Sequence, residues 1–345
     1  MTTKRAGSRR WRQRPSQSNW GDFGDEDQLG RLNFITPESV LRGIREVRSG
    51  QSFCLSLPLN LPGGNVLNPR RHPPKLQPVM RDGVPVFNLP IGNAALGQTD
   101  VLCDDAFLIH SQYSTQWDGF SHVGHLFDAD ATGTPRPVYY NGYRAGVDLI
   151  GPNDAQGRSA GAHRLGIDSF AEKAIQSRGV LVDLKAVAGS ARVRVGYDPF
   201  MRALEACDVE LRQGDILCLY TGFADLVMDM AGTPAPALRD SLCAVLDGKD
   251  ERLLQWIIDS GIAALCADNY GVEEIPAAGP HECGPRLPLH ELCLFKQGIP
   301  LGELWYFKQL ADALQRNGRS AFLLTAPPLR LPGAVGSPVT PVATM

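Results

Sequence analysis

The stretch Gln112-Tyr113-Ser114-Thr115-Gln116-Trp117-Asp118-Gly119-Phe120-Ser121-His122-Val123-Gly124-His125 constrains this chain more than any other. Gln112, Gln116, Asp118 and His122 carry oxygen or nitrogen groups that can hold a metal or move a proton, and all four stand at even positions. On an extended backbone alternate residues share a face, so the four project together. A helix serves them less well, because Asp118 would lie about 200° round from Gln116. Ten residues of strand span about 33 Å, too far for four groups to meet at one point. The chain must therefore bend inside the stretch, and Gly119 is the natural place. Read without chemistry, the same residues are a polar loop after a buried strand. There is no Lys or Arg between Ser111 and Arg136. A buried Asp118 thus needs compensation from elsewhere: a divalent cation, a proton shared with the glutamines, or a remote arginine.

A second polar cluster lies towards the C-terminus. Asp268-Asn269-Tyr270 follows an apolar strand at 262–266, then come His281, His290 and Glu303. Polar residues at the ends of strands are where α/β sheets usually hold ligands. Each also has a plain structural use: His290 as a turn cap, Glu303 as an acidic residue at the positive end of a helix read over 303–316.

The rest of the chain reads as α/β. Thr36-Pro37-Glu38 starts a helix running to about residue 47. Strands are expected at 53–57, 106–109, 180–184, 216–220, 262–266 and 321–325. Further helices are expected at 169–176, 198–207, 238–246 and 252–259. Residues 58–100, rich in Pro, Gly and Asn, form a long excursion of the kind that serves as a lid or an oligomer contact. The tail 326–345 is expected to lie on the surface. Residues 1–18, carrying Lys4, Arg5, Arg9, Arg10, Arg12 and Arg14, read as a disordered basic tail. No apolar segment follows Arg9-Arg10 to make an export signal. One domain is expected from 19 to 345.

Composition excludes several functions. A net charge of -3 gives no reason to expect nucleic acid or an anionic membrane as partner. No apolar run is long enough to cross a bilayer. The eight cysteines include no C-x-x-C pair, and several lie in apolar runs, which favours a reducing, cytoplasmic setting. Walker A, dinucleotide G-x-G-x-x-G and nucleophile-elbow G-x-S-x-G patterns are all missing.

Taken together, the two clusters resemble the cyclase family of metal-dependent hydrolases, which includes bacterial kynurenine formamidase and isatin hydrolase. That family's motif, H-x-G-T-H-x-D-x-P-x-H, is matched in register by Gln112-x-Ser114-Thr115-Gln116-x-Asp118-x-Phe120-x-His122. The family's downstream His and Glu correspond to His290 and Glu303. The resemblance continues through Asn19-Trp20-Gly21, residues 32–38, 179–183, Gly214-Asp215-Ile216, Thr221-Gly222 and Gly336-Ser337-Pro338. It implies a single α/β domain of the swivelling β/β/α type, a central mixed sheet flanked by helices, and a homo-oligomer in which 58–100 could be an intersubunit arm. It implies Asp118, His290 and Glu303 as metal ligands and His122 as general acid/base. Gln112 and Gln116 stand where the family has metal-binding histidines, and Phe120 where it has proline. Carboxamide oxygens are harder, weaker donors than imidazole, so the change tilts the site from zinc towards manganese or magnesium.

The function implied is hydrolysis of a small cyclic or aromatic amide, lactam or lactone by metal-activated water. Trp117, Phe120 and Tyr113 would line the substrate as an aromatic wall, with His125 as a further substrate contact or reserve proton carrier. The alternatives are a ring-closing or dehydrating enzyme, and a non-catalytic small-molecule binding protein in which the glutamines have replaced the metal.

Overall fold

The computed structural model describes residues 9–277 and 283–345. Nine strands form one mixed sheet. In chain order they are β1 (Ser52–Cys54), β2 (Gln116–Asp118), β3 (Gln176–Asp183), β4 (Ile216–Tyr220), β5 (Ala264–Ala267), β6 (Leu301–Glu303), β7 (Ala321–Thr325), β8 (Gly336–Pro338) and β9 (Val342–Thr344). Across the sheet the order is β1-β9-β7-β3-β4-β5-β6-β2-β8. The run β3-β4-β5-β6 is parallel, and β7 and β2 join it antiparallel. Parallel neighbours need crossovers that cover the sheet. That is why Ile216-Leu217-Cys218-Leu219-Tyr220 and Ala264-Leu265-Cys266-Ala267 are buried at every position. Two of the crossover helices, Tyr197–Glu205 and Glu251–Asp259, are amphipathic and meet through Phe200 and Trp256, ring centroids 4.6 Å apart. The single α/β domain with a central mixed sheet and flanking helices is the architecture expected.

Several local expectations are corrected. Glu303 does not head a helix: it ends β6, and the helix begins later, at Lys308–Arg316. The helical spacing of Leu304, Phe307, Leu310 and Leu314 misleads because Leu304 has φ of 55°, which no right-handed helix accommodates. Residues 238–246 are split the same way at Cys243 (φ 63°) into a short helix, Leu238–Ser241, and a strand, Ala244–Leu246. The C-terminal tail is not merely laid on the surface: it supplies β9 within the sheet and β8 at its edge, though the stretch 329–332 between β7 and β8 is exposed. Of the tail expected at 1–18, residues 1–8 lie outside the described residues, and residues 9–18 dock on the domain. Trp11 is buried edge-on against Trp20, and Arg12 N donates to Ala129 O at 2.7 Å.

The excursion becomes a two-stranded ribbon. Lys75–Pro78 pairs with Asp105–Leu108, and two shorter ladders lie between them. The strand expected at 106–109 therefore belongs to this ribbon and not to the main sheet. Leu76, Leu96, Phe107 and Leu108 are exposed along it. Among the described residues no helix is long and apolar enough to cross a membrane.

Trp117, expected to line the substrate, is wholly buried on the opposite side of β2 from Gln116 and Asp118. Its indole donates to Ala326 O at 2.8 Å and meets Trp305 edge-on, centroids 5.0 Å apart. Trp117→Ala should lower unfolding free energy by about 3–5 kcal/mol in denaturant titrations. A loss below about 1 kcal/mol together with a raised KM would return Trp117 to the substrate pocket.

Candidate metal centre

The register of β2 against β6 builds the first half of the site. Gln116 pairs with Glu303, Trp117 with Gly302 and Asp118 with Leu301. Because side chains alternate, Gln116 and Asp118 share one face of the sheet, and Glu303 stands on that face directly opposite Gln116. Gly302 is needed on the other face, where an added Cβ would come 2.7 Å from Trp305 Nε1. That indole donates to Gln116 O at 3.1 Å. Upstream, Thr115 Oγ1 accepts from Leu57 N at 2.9 Å and donates to Leu304 O, fixing the entry to the strand. The chain then bends at Gly119, as its sequence suggests. Gly119 N donates to Val335 O at 3.1 Å, and His122 N donates back to Gly119 O at 2.9 Å. The turn returns His122 to the site, with Nε2 3.8 Å from Asp118 Oδ1.

The second half comes from the connection after β5. Asp268 does not face the site. Its carboxylate accepts from Thr221 N, Thr221 Oγ1 and Gly222 N at 2.6–2.8 Å, tying the end of β5 to that of β4. Asn269 is also structural, donating to Ala244 O and accepting from Val272 N. These bonds carry the chain inward to Glu273. Glu273 accepts from Leu289 N and His290 N, each at 2.9 Å, and from His290 Nδ1 at 2.8 Å. With Nδ1–H donated to Glu273, the other ring nitrogen of His290 faces Glu303, Nε2 to Oε1 being 3.4 Å. Asp118, His290 and Glu303 each offer a ligand atom, all within 4.8 Å of one another and all buried.

The charges here are unbalanced in a way that suits a cation. Burial raises the Asp118 carboxyl above its ordinary range, and the charge of His122 offsets that only in part. Burial by itself lowers the His290 imidazole, but its hydrogen bonds to Glu273 and Glu303 win and push it up to about 10. Burial raises Glu303, and the bond to His290 more than reverses this, leaving its carboxyl below the usual range. Gln116 Nε2 donates to Asp118 Oδ1 at 3.1 Å. Among the described residues Asp118 Oδ2 and Gln116 Oε1 are buried with no partner. Buried acceptors are rarely left unsatisfied, and a divalent ion would satisfy both. The donor set of two carboxylates, one imidazole and a carboxamide oxygen fits such an ion.

Residues 55–274 match the family model described as "Putative cyclase". The chain belongs to the cyclase family. No curated protein matches it by sequence. Among solved structures, one described as a novel cyclase is 28% identical with a TM-score of 0.76, covering 96% of this chain and 100% of its own. Isatin hydrolase A from Ralstonia solanacearum is 13% identical, TM-score 0.52, covering 85% of this chain and 91% of its own. Isatin hydrolase A from Labrenzia aggregata is 14% identical, TM-score 0.53, covering 89% and 97%. The likeness to these two hydrolases is one of fold.

The other expected site residues of this cyclase-family chain are placed as follows. Gln112 lies beside the triad, over Gly336, where a Cβ would come 2.5 Å from its Nε2; it makes no hydrogen bond to Asp118, His290 or Glu303. Phe120 is core, packed on Tyr140 and Phe170 at 4.9 and 5.0 Å, so it is not a substrate wall here. His125 sits against Phe295 and 3.9 Å from Glu291, and makes no hydrogen bond to Asp118, His290 or Glu303. His281 lies outside the described residues. Two neighbours escaped the sequence reading. One is Glu273, whose role rests on backbone amides at Leu289 and His290, and the other is Arg71, which donates to Gln112 O at 2.7 Å.

Without metal, His290 stays charged to about pH 10, so its ion pairs contribute stability in full below about 6.5 and lose it as pH rises through about 10. Metal binding needs the Nε2 lone pair and so expels that proton. Calorimetric titration of manganese near neutral pH, in buffers of different ionisation enthalpy, should show at least about one proton released per ion. Affinity should climb with pH. Binding with no proton release would contradict His290 as a ligand.

Proposed function

We propose that this protein is a metal-dependent hydrolase of a small cyclic or aromatic amide, lactam or lactone. The convergence of buried Asp118, His290 and Glu303, with an unpartnered carboxylate oxygen among them, carries the reading. A divalent ion held there, manganese or zinc, would supply Lewis acidity towards a substrate carbonyl and towards water. The chain does the rest. Glu273 fixes the tautomer and direction of His290, as carboxylates commonly do for metal-binding histidines. Gln116 holds one oxygen of Asp118 and leaves the other free. His122 is partly exposed beside Asp118, so it can reach both the site and solvent. In this reading it removes a proton from water and returns one to the leaving nitrogen or oxygen.

One observation favours the binding-protein alternative: the hydrogen bond from Gln116 to Asp118 meets part of that carboxylate's need without a metal. The oxygens left without partners weigh against it. The reading is tested by offering manganese- or zinc-loaded protein a panel of aryl amides, lactams and lactones. Hydrolysis that disappears on chelation supports it; no turnover of any member at full metal loading removes it. On a substrate so found, His122→Ala should lose about two to four orders of magnitude in kcat while keeping its metal. If His125→Ala were the inactive variant instead, the proton carrier would be misassigned.

A further inference from the structure

The loop at 62–71 encloses a small cavity whose apolar lining includes Val66, Leu67, Tyr113 and Tyr270 and whose polar members are Asn65, Asn68, Arg71 and Gln112. Tyr113 fixes this loop by accepting from Gly63 N and donating to Gly64 O, both at 3.0 Å. Asn68 donates to the Tyr270 hydroxyl at 3.1 Å. Arg71 lies over the Tyr270 ring at 5.8 Å and donates to Gln112 O. Among the described residues its guanidinium makes no ion pair within 4.0 Å, although its charge is felt by the Asp118 and Glu303 carboxylates of the triad. A guanidinium carries five N–H donors, so most of its capacity is unspent. Gln112 also lines the cavity, and its Nε2 donor, beside Gly336, is buried with no acceptor. A guanidinium with donors to spare and a carboxamide donor with no acceptor, framed by aromatic and aliphatic walls, ask for an oxygen-rich anion on an apolar body. The free space is about 10 Å³, room for a single water, so any larger occupant must move the loop. Gly64, Asn65 and Val66 at the loop tip are solvent-exposed, and opening it would cost the Tyr113 bond to Gly64 O.

We propose that Arg71, aided by Gln112, receives a carboxylate carried by the substrate, so that the substrate is a small aromatic or apolar acid whose scissile bond lies against Asp118, His290 and Glu303. This rests on the hydrolase reading and narrows its substrate class. Guanidinium and carboxylate match in a planar, charge-assisted pair that a neutral amide cannot form. The plain structural role, Arg71 merely bracing the loop on Tyr270, predicts no preference for acids.

The test compares benzoate with benzamide, matched in ring and shape, by calorimetry on the full chain both manganese-loaded and chelated. Benzoate should bind about tenfold or more tighter in both states. Arg71→Met should erase the preference, and Arg71→Lys, a point charge, should keep part of it. Circular dichroism and Arg71→Lys together show whether the Met variant has simply failed to fold. A preference that survives in folded Arg71→Met, or no preference in the native chain, overturns the proposal. Because nothing is turned over, an inactive chain would still show the preference. An active hydrolase without it would refute Arg71 alone.

Discussion

The pairing of Gln116 with Glu303 across β2 and β6 sets the position of every charge at the centre of this molecule. Shifting that register by one residue would turn Trp117 towards the site and send Gln116 and Asp118 into the apolar layer where Trp117 now meets Trp305. The register is held from both edges. Gly336, Ser337 and Pro338 pair with Asp118, Trp117 and Gln116 from the other side. Gly302 gives the Trp305 indole room to reach Gln116 O. The site is thus a consequence of a sheet whose other face is packed with tryptophan.

Burying carboxylates in such a place is unfavourable unless something meets their charge. The structure solves the problem unevenly. Glu273 is fully met by two backbone amides and an imidazole. Glu303 is met by the other side of the same imidazole. Asp118 accepts a hydrogen bond from Gln116 on one oxygen only, with His122 3.8 Å away and the charges of His290 and Arg71 acting from farther off. His290 therefore links two carboxylates, and the residual deficit falls on Asp118. This asymmetry separates a site prepared for a cation from a closed hydrogen-bond network.

How much of this was legible in the sequence depended on how local each cause was. The common face of Gln116 and Asp118 and the bend at Gly119 follow from the two-residue period and a glycine, and both are found. The convergence of His290 and Glu303 on Asp118 came from resemblance to the cyclase motif, since no local pattern links residues so far apart. The strand ending at Glu303 was masked by downstream leucines at helical spacing, interrupted only by the left-handed Leu304. Glu273 was invisible because its partners are backbone amides 16 and 17 residues on. The tail strands were missed because Gly336-Ser337-Pro338 has little strand propensity; β8 stands at the sheet edge, where proline is tolerated. Nothing in the local pattern distinguishes an aromatic residue that lines a pocket from one that fills the core, and Phe120 and Trp117 are wholly buried.

The claim on which the account depends is that Asp118, His290 and Glu303 hold one divalent ion. Elemental analysis of protein purified without chelator, compared with Glu303→Gln and Asp118→Asn prepared alike, tests it directly. The account predicts about one manganese or zinc per chain in the native protein, and loss of most of it in both variants while their fold is retained. A native chain without divalent metal even after incubation with excess manganese and zinc, or one whose metal survives both substitutions, would contradict it.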